Sequence, residues 1–268
     1  METLEGKRIL VTGLANPNSI AFAVATRAQK SGAQIALAAF PRDLESARAA
    51  AEQLPTPVGV HPVDVTNPED LERLCSELRG SMGGLDGALH AIAFASQKAL
   101  ARLVGAPFDA VSLAFHTSTY SYAALGGVLA ELAPPHGGAL VGLDFDGTRA
   151  WPMYNWMGVC KAGLEAVNRY LARELAPRRI RANLVASGPL RTRAALAIPD
   201  FDRVLRAWDE QAPLPWDPED PTPVADAACF LFSDAARAIT GEVLHVDGGY
   251  NAMAAPIAGV GPVDSNDR

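Results

Sequence analysis

Seven short apolar runs punctuate the chain: RILVT (8–12), QIALA (34–38), VGVHPV (58–63), GALHAIA (87–93), GALVGL (138–143), RANLVA (181–186) and VLHV (243–246). Most lack the polar alternation of a strand with one wet face, so they read as strands buried on both sides. Between them, stretches near 19–31, 43–54, 67–82, 107–131, 155–175 and 223–232 carry helical periodicity. The alternation predicts an α/β fold: one seven-stranded parallel sheet with helices on both faces. Right-handed crossovers make it doubly wound. No repeat or linker divides it, so a single domain is expected over residues 1–250. An insert at 193–220, rich in Pro and Trp, follows the carboxyl end of a strand, where such folds hold their ligands. The tail 251–268 is small and polar with Gly and Pro, and is expected to be flexible.

A chain of 268 residues, 49% hydrophobic and 20% charged, suffices for one such domain with a full core. A net charge of -7 argues against general nucleic-acid binding. Cys75, Cys160 and Cys229 are too few and too scattered for a disulfide framework or a metal site, which suits a reducing cytoplasm. No signal peptide is read at the start, METLEGKRILVTG, and no apolar run is long enough to span a membrane.

Tyr154 and Lys161 stand seven positions apart. In a helix that is two turns less about 20°, so both side chains leave one face. Nearby ammonium charge would lower the phenol's pKa, and the phenol could then serve a carbonyl oxygen as hydrogen-bond or proton donor. A helix-contact Tyr and a surface Lys are the plainer reading. Arg outnumbers Lys 19 to 4, so a compact ammonium at 161 departs from the usage of the chain.

RILVTG-LANPNSIA reads as strand, turn and helix, with Gly13 ending the strand and Ser19 as N-cap. Free amides at that helix start suit a pyrophosphate, although only one glycine of the usual G-x-G-x-x-G remains. An ordinary N-capped turn would look the same. Asp64-Val65 closes the third strand, where a carboxylate can meet an adenine amino group or simply cap a turn. HAIAF (90–94) closes the fourth with small residues. At the second strand end, Phe40 can pack on adenine, while Arg42 can meet a 2′-phosphate; physics alone does not choose between NADH and NADPH. His90 reads as core, and His61, His116, His136 and His245 have no metal-like spacing, so no metal is expected. Trp208 and Trp216 fit a greasy pocket or plain packing equally well.

Several motifs together resemble the short-chain dehydrogenase/reductase superfamily, and within it the bacterial enoyl-[acyl-carrier-protein] reductases: VTGLANPNSIA, HAIAFA, STYSYA, Tyr154-x6-Lys161, NLVASGPLRT and GEVLHVDGG. The resemblance runs from about Leu4 to Gly249. Most of the superfamily spaces Tyr and Lys by four, but position 158 is Gly; the wider spacing marks the enoyl reductases. The resemblance implies a Rossmann fold that reduces trans-2-enoyl thioesters on acyl carrier protein with NADH, in a cytoplasmic homotetramer. Tyr154 would face the thioester carbonyl and Lys161 the nicotinamide ribose. Gly13, Ser19, Ile20, Phe40, Asp64, Val65, Ile92, Leu190 and Thr192 would line the dinucleotide, and Ala95 and Phe145 the acyl group. Phe40 resembles the NADH-using mycobacterial branch.

The resemblance has departures. A second active-site Tyr, ten positions before Tyr154 in many relatives, is absent: position 144 is Asp, followed by Phe145 as in the mycobacterial branch. The 193–213 segment has the short length of the ordinary branch, so acyl length stays open. Carbonyl-reducing members of the superfamily carry a Ser thirteen positions before Tyr, where this chain has Val141. A carbonyl reductase and a non-catalytic dinucleotide sensor are the alternatives. Small residues on the two long helices (Ala123, Ala124, Gly126, Gly127; Ala162, Gly163, Ala166) would pair them across two-fold axes. Arg191, Arg193, Arg203 and Arg206 are candidates to meet a carrier protein, opposite an apolar stripe of Phe201, Leu205 and Trp208.

Overall fold

The computed structural model describes residues 3–254. In chain order the elements are β1 (Arg8–Thr12), α1 (Ile20–Lys30), β2 (Gln34–Ala39), α2 (Leu44–Ala51), β3 (Val60–Pro62), α3 (Pro68–Met82), β4 (Gly87–His90), α4 (Gln97–Leu100), α5 (Phe108–Phe115), α6 (Ser121–Leu132), β5 (Gly138–Asp144), α7 (Asn155–Leu175), β6 (Ile180–Ser187), α8 (Phe201–Gln211), α9 (Thr222–Phe232) and β7 (Val243–Val246). The sheet has seven strands in the order β3-β2-β1-β4-β5-β6-β7, and every pairing is parallel.

Strand β1 explains why these runs lack polar alternation. Ile9 and Val11 pack with Val24, Ala28, Val224 and Phe232 under α1 and α9. Leu10, pointing the other way, packs with Leu74, Leu78, Leu125, Leu129 and Leu164 under α3, α6 and α7. Both faces are dry, so both parities of the strand are apolar. Chain order reverses direction between β1 and β4, and that switch point opens a crevice at the carboxyl edge of the sheet.

Three stretches differ from the sequence reading. The fourth strand stops at His90, and residues 91–96 leave the sheet to border the crevice. The helix expected over 107–131 contains a π turn at His116–Tyr120 between α5 and α6. Ser118 and Thr119, neighbours in that turn, are both fully buried. The start of the tail is held rather than frayed. Asn251 N donates to Asp247 Oδ2 at 2.9 Å, and Arg149 Nη2 donates to Asn251 O at 2.6 Å. The rest of the tail, 255–268, lies outside the described residues.

The amino edge of the sheet is fixed by Asp86, which accepts from Arg8 N at 3.0 Å and Arg8 Nε at 2.8 Å. Burial alone would raise its pKa; the Arg8 side-chain and backbone hydrogen bonds outweigh burial and hold the carboxyl below its usual range. A depressed carboxyl adds stability above the unfolded pKa of about 3.9 and loses it as pH falls through the folded value. Asp86→Ala is therefore expected to cost about 1–3 kcal/mol at neutral pH, measured by urea unfolding. The gap to the parent protein should narrow at about pH 3. A gap that does not depend on pH would mean that the lost contact is not ionic.

Candidate active site

A cavity of about 1380 Å³ opens along the carboxyl edge of the sheet. Its walls come from the segment after each of six strands. Gly13, Ser19 and Ile20 follow β1, Phe40 follows β2, and Asp64 and Val65 follow β3. Ile92 and Ala95 follow β4, Phe145 follows β5, and Leu190 and Thr192 follow β6. Tyr154 and Lys161 complete the wall from the start of α7. Residues spread over 180 positions of sequence thus share one space because parallel strands end at one edge.

At the β1 end, backbone takes the place of side chains. Gly13 has φ +82°, and a Cβ there would lie 2.1 Å from Ala91 O. No other residue fits without moving the β1 and β4 ends apart. Ser19 caps α1: its Oγ accepts from Phe22 N at 3.2 Å and donates to Asn16 O at 2.7 Å. The first turn of α1 holds no acidic residue, so its amides and helix dipole suit an anion. This cradle, which a Cβ would fill, fits the pyrophosphate of a dinucleotide. Farther along, Phe40 is 42% exposed at the cavity, and the Arg42 guanidinium sits 5.3 Å from its ring centre. Asp64 Oδ1 accepts from Thr66 N at 2.9 Å and Thr66 Oγ1 at 2.7 Å. It is thus a turn-forming Asp that also borders the cavity.

At the other end, Tyr154 precedes α7 and is flanked by two non-glycine residues in left-handed backbone, Met153 (φ 66°) and Asn155 (φ 41°). Such strain persists only where neighbours hold it, and it gathers at functional sites. Asn155 Nδ2 is held by Leu100 O at 2.6 Å, and the Phe145 ring meets the Tyr154 ring edge-on at 5.3 Å. Burial raises the Tyr154 pKa, with the nearby carboxylate of Asp144 and then Cys160 adding to the rise. The sequence argument expected an ammonium to lower it; burial wins. The phenol therefore stays protonated and acts as a donor, not a base.

Lys161 is buried, and its Nζ donates to Leu143 O at 2.8 Å, with Asp144 Oδ1 at 3.8 Å. Burial lowers its pKa, and Asp144 opposes that shift most strongly. The helix around it is pinned from the π turn, where Thr119 Oγ1 donates to Cys160 O at 2.8 Å. Ser118 Oγ accepts from Phe94 N at 2.9 Å and so fixes the end of the β4 loop. Sequence reasoning quoted STYSYA as a motif but assigned these hydroxyls no task. Adjacent buried polar residues inside a helical pattern were the available signal. His90 is core, as expected. Ser121 Oγ donates to Thr117 O at 2.6 Å, so His90 Nε2, 2.7 Å from Ser121 Oγ, carries the ring proton. Burial first, and Lys161 second, push the His90 pKa down to about 3.

The end of the cavity near Tyr154 is aromatic. Trp151 stacks on Trp208 at 5.5 Å, and Trp208 on Tyr250 at 3.8 Å, beside Phe145. Trp208 therefore lines the cavity, whereas Trp216 donates to Pro189 O at 2.8 Å and packs against Gly188. Trp151 and Tyr250 were not expected, because periodicity says nothing about loop residues brought together by tertiary contact. Phe201, Leu205 and Trp208 are buried on α8, and Arg203 and Arg206 are exposed, with Arg203 at the edge of the cavity. Arg191 is already paired with Asp202 at 3.3 Å and Glu219 at 3.2 Å, and Arg193 with Asp43 at 2.7 Å. These two serve the fold first. Val141 is fully buried in β5 and offers no hydroxyl. Among the described residues no group of three or more His, Cys, Asp or Glu could hold a metal.

A family model described as enoyl-(acyl carrier protein) reductase matches residues 13–251. The enoyl-[acyl-carrier-protein] reductase [NADH] of Mycolicibacterium smegmatis is 43% identical, across 93% of this chain and 98% of that protein. The protein of the same name from Mycobacterium avium is 42% identical over the same shares. The FabI enzyme of Bacillus cereus, also named for NADH, is 37% identical over 94% of this chain and all of its own. With the sheet order, the Gly13 cradle and the Tyr154–Lys161 pair in one cavity, these matches make the chain a member of the enoyl-[acyl-carrier-protein] reductase family.

Proposed function

We infer that the protein reduces trans-2-enoyl thioesters on acyl carrier protein to saturated thioesters, with NADH, in fatty acid biosynthesis. The observation that carries this reading is the protonated Tyr154 donor sharing a greasy cavity with Lys161, beside a β5 that lacks a carbonyl-binding hydroxyl at Val141. That lack disfavours a carbonyl reductase, and the intact pair disfavours a sensor without turnover. The relatives named for NADH support that cofactor over NADPH.

When bound, the nicotinamide supplies a hydride to the β-carbon of the enoyl group. Negative charge then grows on the thioester oxygen as an enolate, and a proton taken from water at the α-carbon completes the saturated thioester. Tyr154 donates to that oxygen, and its raised pKa keeps the donor in place at working pH. Lys161 holds the ribose and adds positive field. Gly13 and the α1 amides would seat the pyrophosphate, Phe40 would pack on the adenine, and Asp64, Val65 and Ile92 would border the adenosine. Leu190 and Thr192 border the nicotinamide end. Ala95, Phe145 and the aromatic stack exclude water around the acyl chain.

Tetramer formation and a cytoplasmic setting are proposed with this activity. Among the described residues no helix is long and apolar enough to cross a membrane. The face formed by α5, the π turn and α7 leaves Phe108 82% and Tyr170 71% exposed, with Phe115, Tyr120 and Val159 also open. An apolar face of this kind suits a partner copy. The small residues divide their work. Gly126 and Gly163 give room within the chain, to Leu140 and Leu171 and to Phe115 and Thr119, whereas Gly127 meets nothing within 4 Å.

Three outcomes are expected. Tyr154→Phe should lower kcat about 100-fold or more while leaving NADH affinity near normal, and Lys161→Ala should weaken NADH binding as well. Near-normal turnover and affinity in both would remove the site assignment. Light scattering should give four copies per particle at micromolar concentration; a stable monomer would reject the tetramer. Charge reversal at Arg203 and Arg206 should raise KM for a carrier-bound substrate, as added salt should. A small coenzyme A thioester should be affected much less. Equal losses on both substrates would mean that the arginines support α8 and do not recognise the carrier.

A further inference from the structure

Asp144, the last residue of β5, is an acid that the mechanism above does not use. Its side chain is fully buried and borders the cavity. Neither carboxylate oxygen has a partner at full hydrogen-bond geometry among the described residues, although the Phe145 amide and the Lys161 ammonium lie near enough to favour its charged form. Buried carboxylates are ordinarily bonded, so an unbonded one needs a reason. Its nearest opposite charge is Lys161 Nζ at 3.8 Å, too far for a hydrogen bond and near enough for strong attraction in a dry site. An ammonium has three donors, and Leu143 O takes one at 2.8 Å.

The other charged and titratable neighbours are already engaged or neutral. On α7, Glu165 Oε1 accepts from Gly147 N at 2.7 Å, and Cys160 is a thiol whose pKa burial raises. Tyr154 is protonated, as argued above. In the loop after β5, Asp146 Oδ1 accepts from Thr148 N at 2.9 Å and Thr148 Oγ1 at 2.6 Å. From β4, His90 is neutral beside Lys161. From α6, Tyr122 donates to Asn168 Oδ1 at 2.9 Å, and burial and Asp144 push its pKa up. From β6, the register partner of Asp144 is Ala186. Lys161 is thus the one cation in this group, and Asp144, at 3.8 Å, is the carboxylate that acts on it most strongly, with Glu165 behind it.

We propose that Asp144 is a positioning residue for the dinucleotide: its buried carboxylate keeps the Lys161 ammonium charged and held at the ribose subsite. The inference rests on the NADH reading of the cavity. A buried ammonium without a counter-charge gives up its proton more readily, and of the two buried carboxylates that favour the charged form of Lys161, Asp144 acts more strongly than Glu165. Burial pushes Asp144 up to about 7 despite the opposing pull of Lys161. The carboxyl therefore changes charge within the working range of pH. Protonation in acid removes the counter-charge and should loosen NADH; deprotonation above neutrality should restore it.

The test is the dissociation constant for NADH, read by nucleotide fluorescence from about pH 6 to about pH 8.5, for the parent protein, Asp144→Asn and Asp144→Glu. The parent should bind NADH at least about fivefold more weakly at the acid end. Asp144→Asn should bind weakly and with little pH dependence, approaching the parent at its acid limit. Asp144→Glu should keep a pH dependence, with a shifted midpoint. That comparison with the parent still decides the matter if the Asn variant does not fold. A flat parent profile, or an Asn variant with the parent's affinity and profile, would overturn the role of Asp144 and leave the NADH reading standing. A parent that binds no NADH at any pH would overturn both.

Discussion

A single buried ammonium ties the site together. Lys161 is buried, where an unpaired charge is costly, so its Nζ must find oxygen. It finds Leu143 O at the end of β5, and that bond fastens α7 to the sheet at the point where the crevice opens. Other contacts reinforce the seam. Thr119 holds Cys160 O, Glu165 holds Gly147 N, and a Cβ on Gly147 would lie 2.6 Å from Ala162 N, so loop and helix touch backbone to backbone. With the helix fixed, the strained turn before it can hold Tyr154 at the cavity wall in one orientation. The reactive pair is therefore a product of the β5–α7 seam more than of helical spacing alone.

Much of the fold was legible because a parallel sheet buried on both faces writes itself as continuous apolar runs. β1 and β7 match their predicted limits, and the other strands differ at their ends by a few residues. The π turn was not legible. It depends on whether the hydroxyls of Ser118, Thr119 and Ser121 find partners on β4 and α7, which is tertiary information. The pKa direction at Tyr154 failed for a similar reason. Spacing places an ammonium near the phenol but cannot weigh it against burial and the carboxylate of Asp144.

The site residues fall into two classes. Gly13, Ser19, Tyr154 and Lys161 could be argued from backbone freedom, capping and helical spacing. Leu190, Thr192, Ala95 and Phe145 came from resemblance, and the cavity gathers both classes. Trp151, Trp208 and Tyr250, from three separate segments, stack into one wall that no local pattern announces. This wall and α8 together bound the end of the cavity away from the Gly13 cradle.

The most direct test of this account follows the hydride itself. NADH carrying deuterium at the transferable position is incubated with the protein and an equal mixture of a trans-2-enoyl and a 3-ketoacyl thioester, and the products are analysed by mass spectrometry and NMR. The account predicts a saturated thioester with one deuterium at its β-carbon. An unchanged enoyl thioester, with deuterium delivered instead to the carbonyl carbon of a 3-ketoacyl thioester, would contradict it.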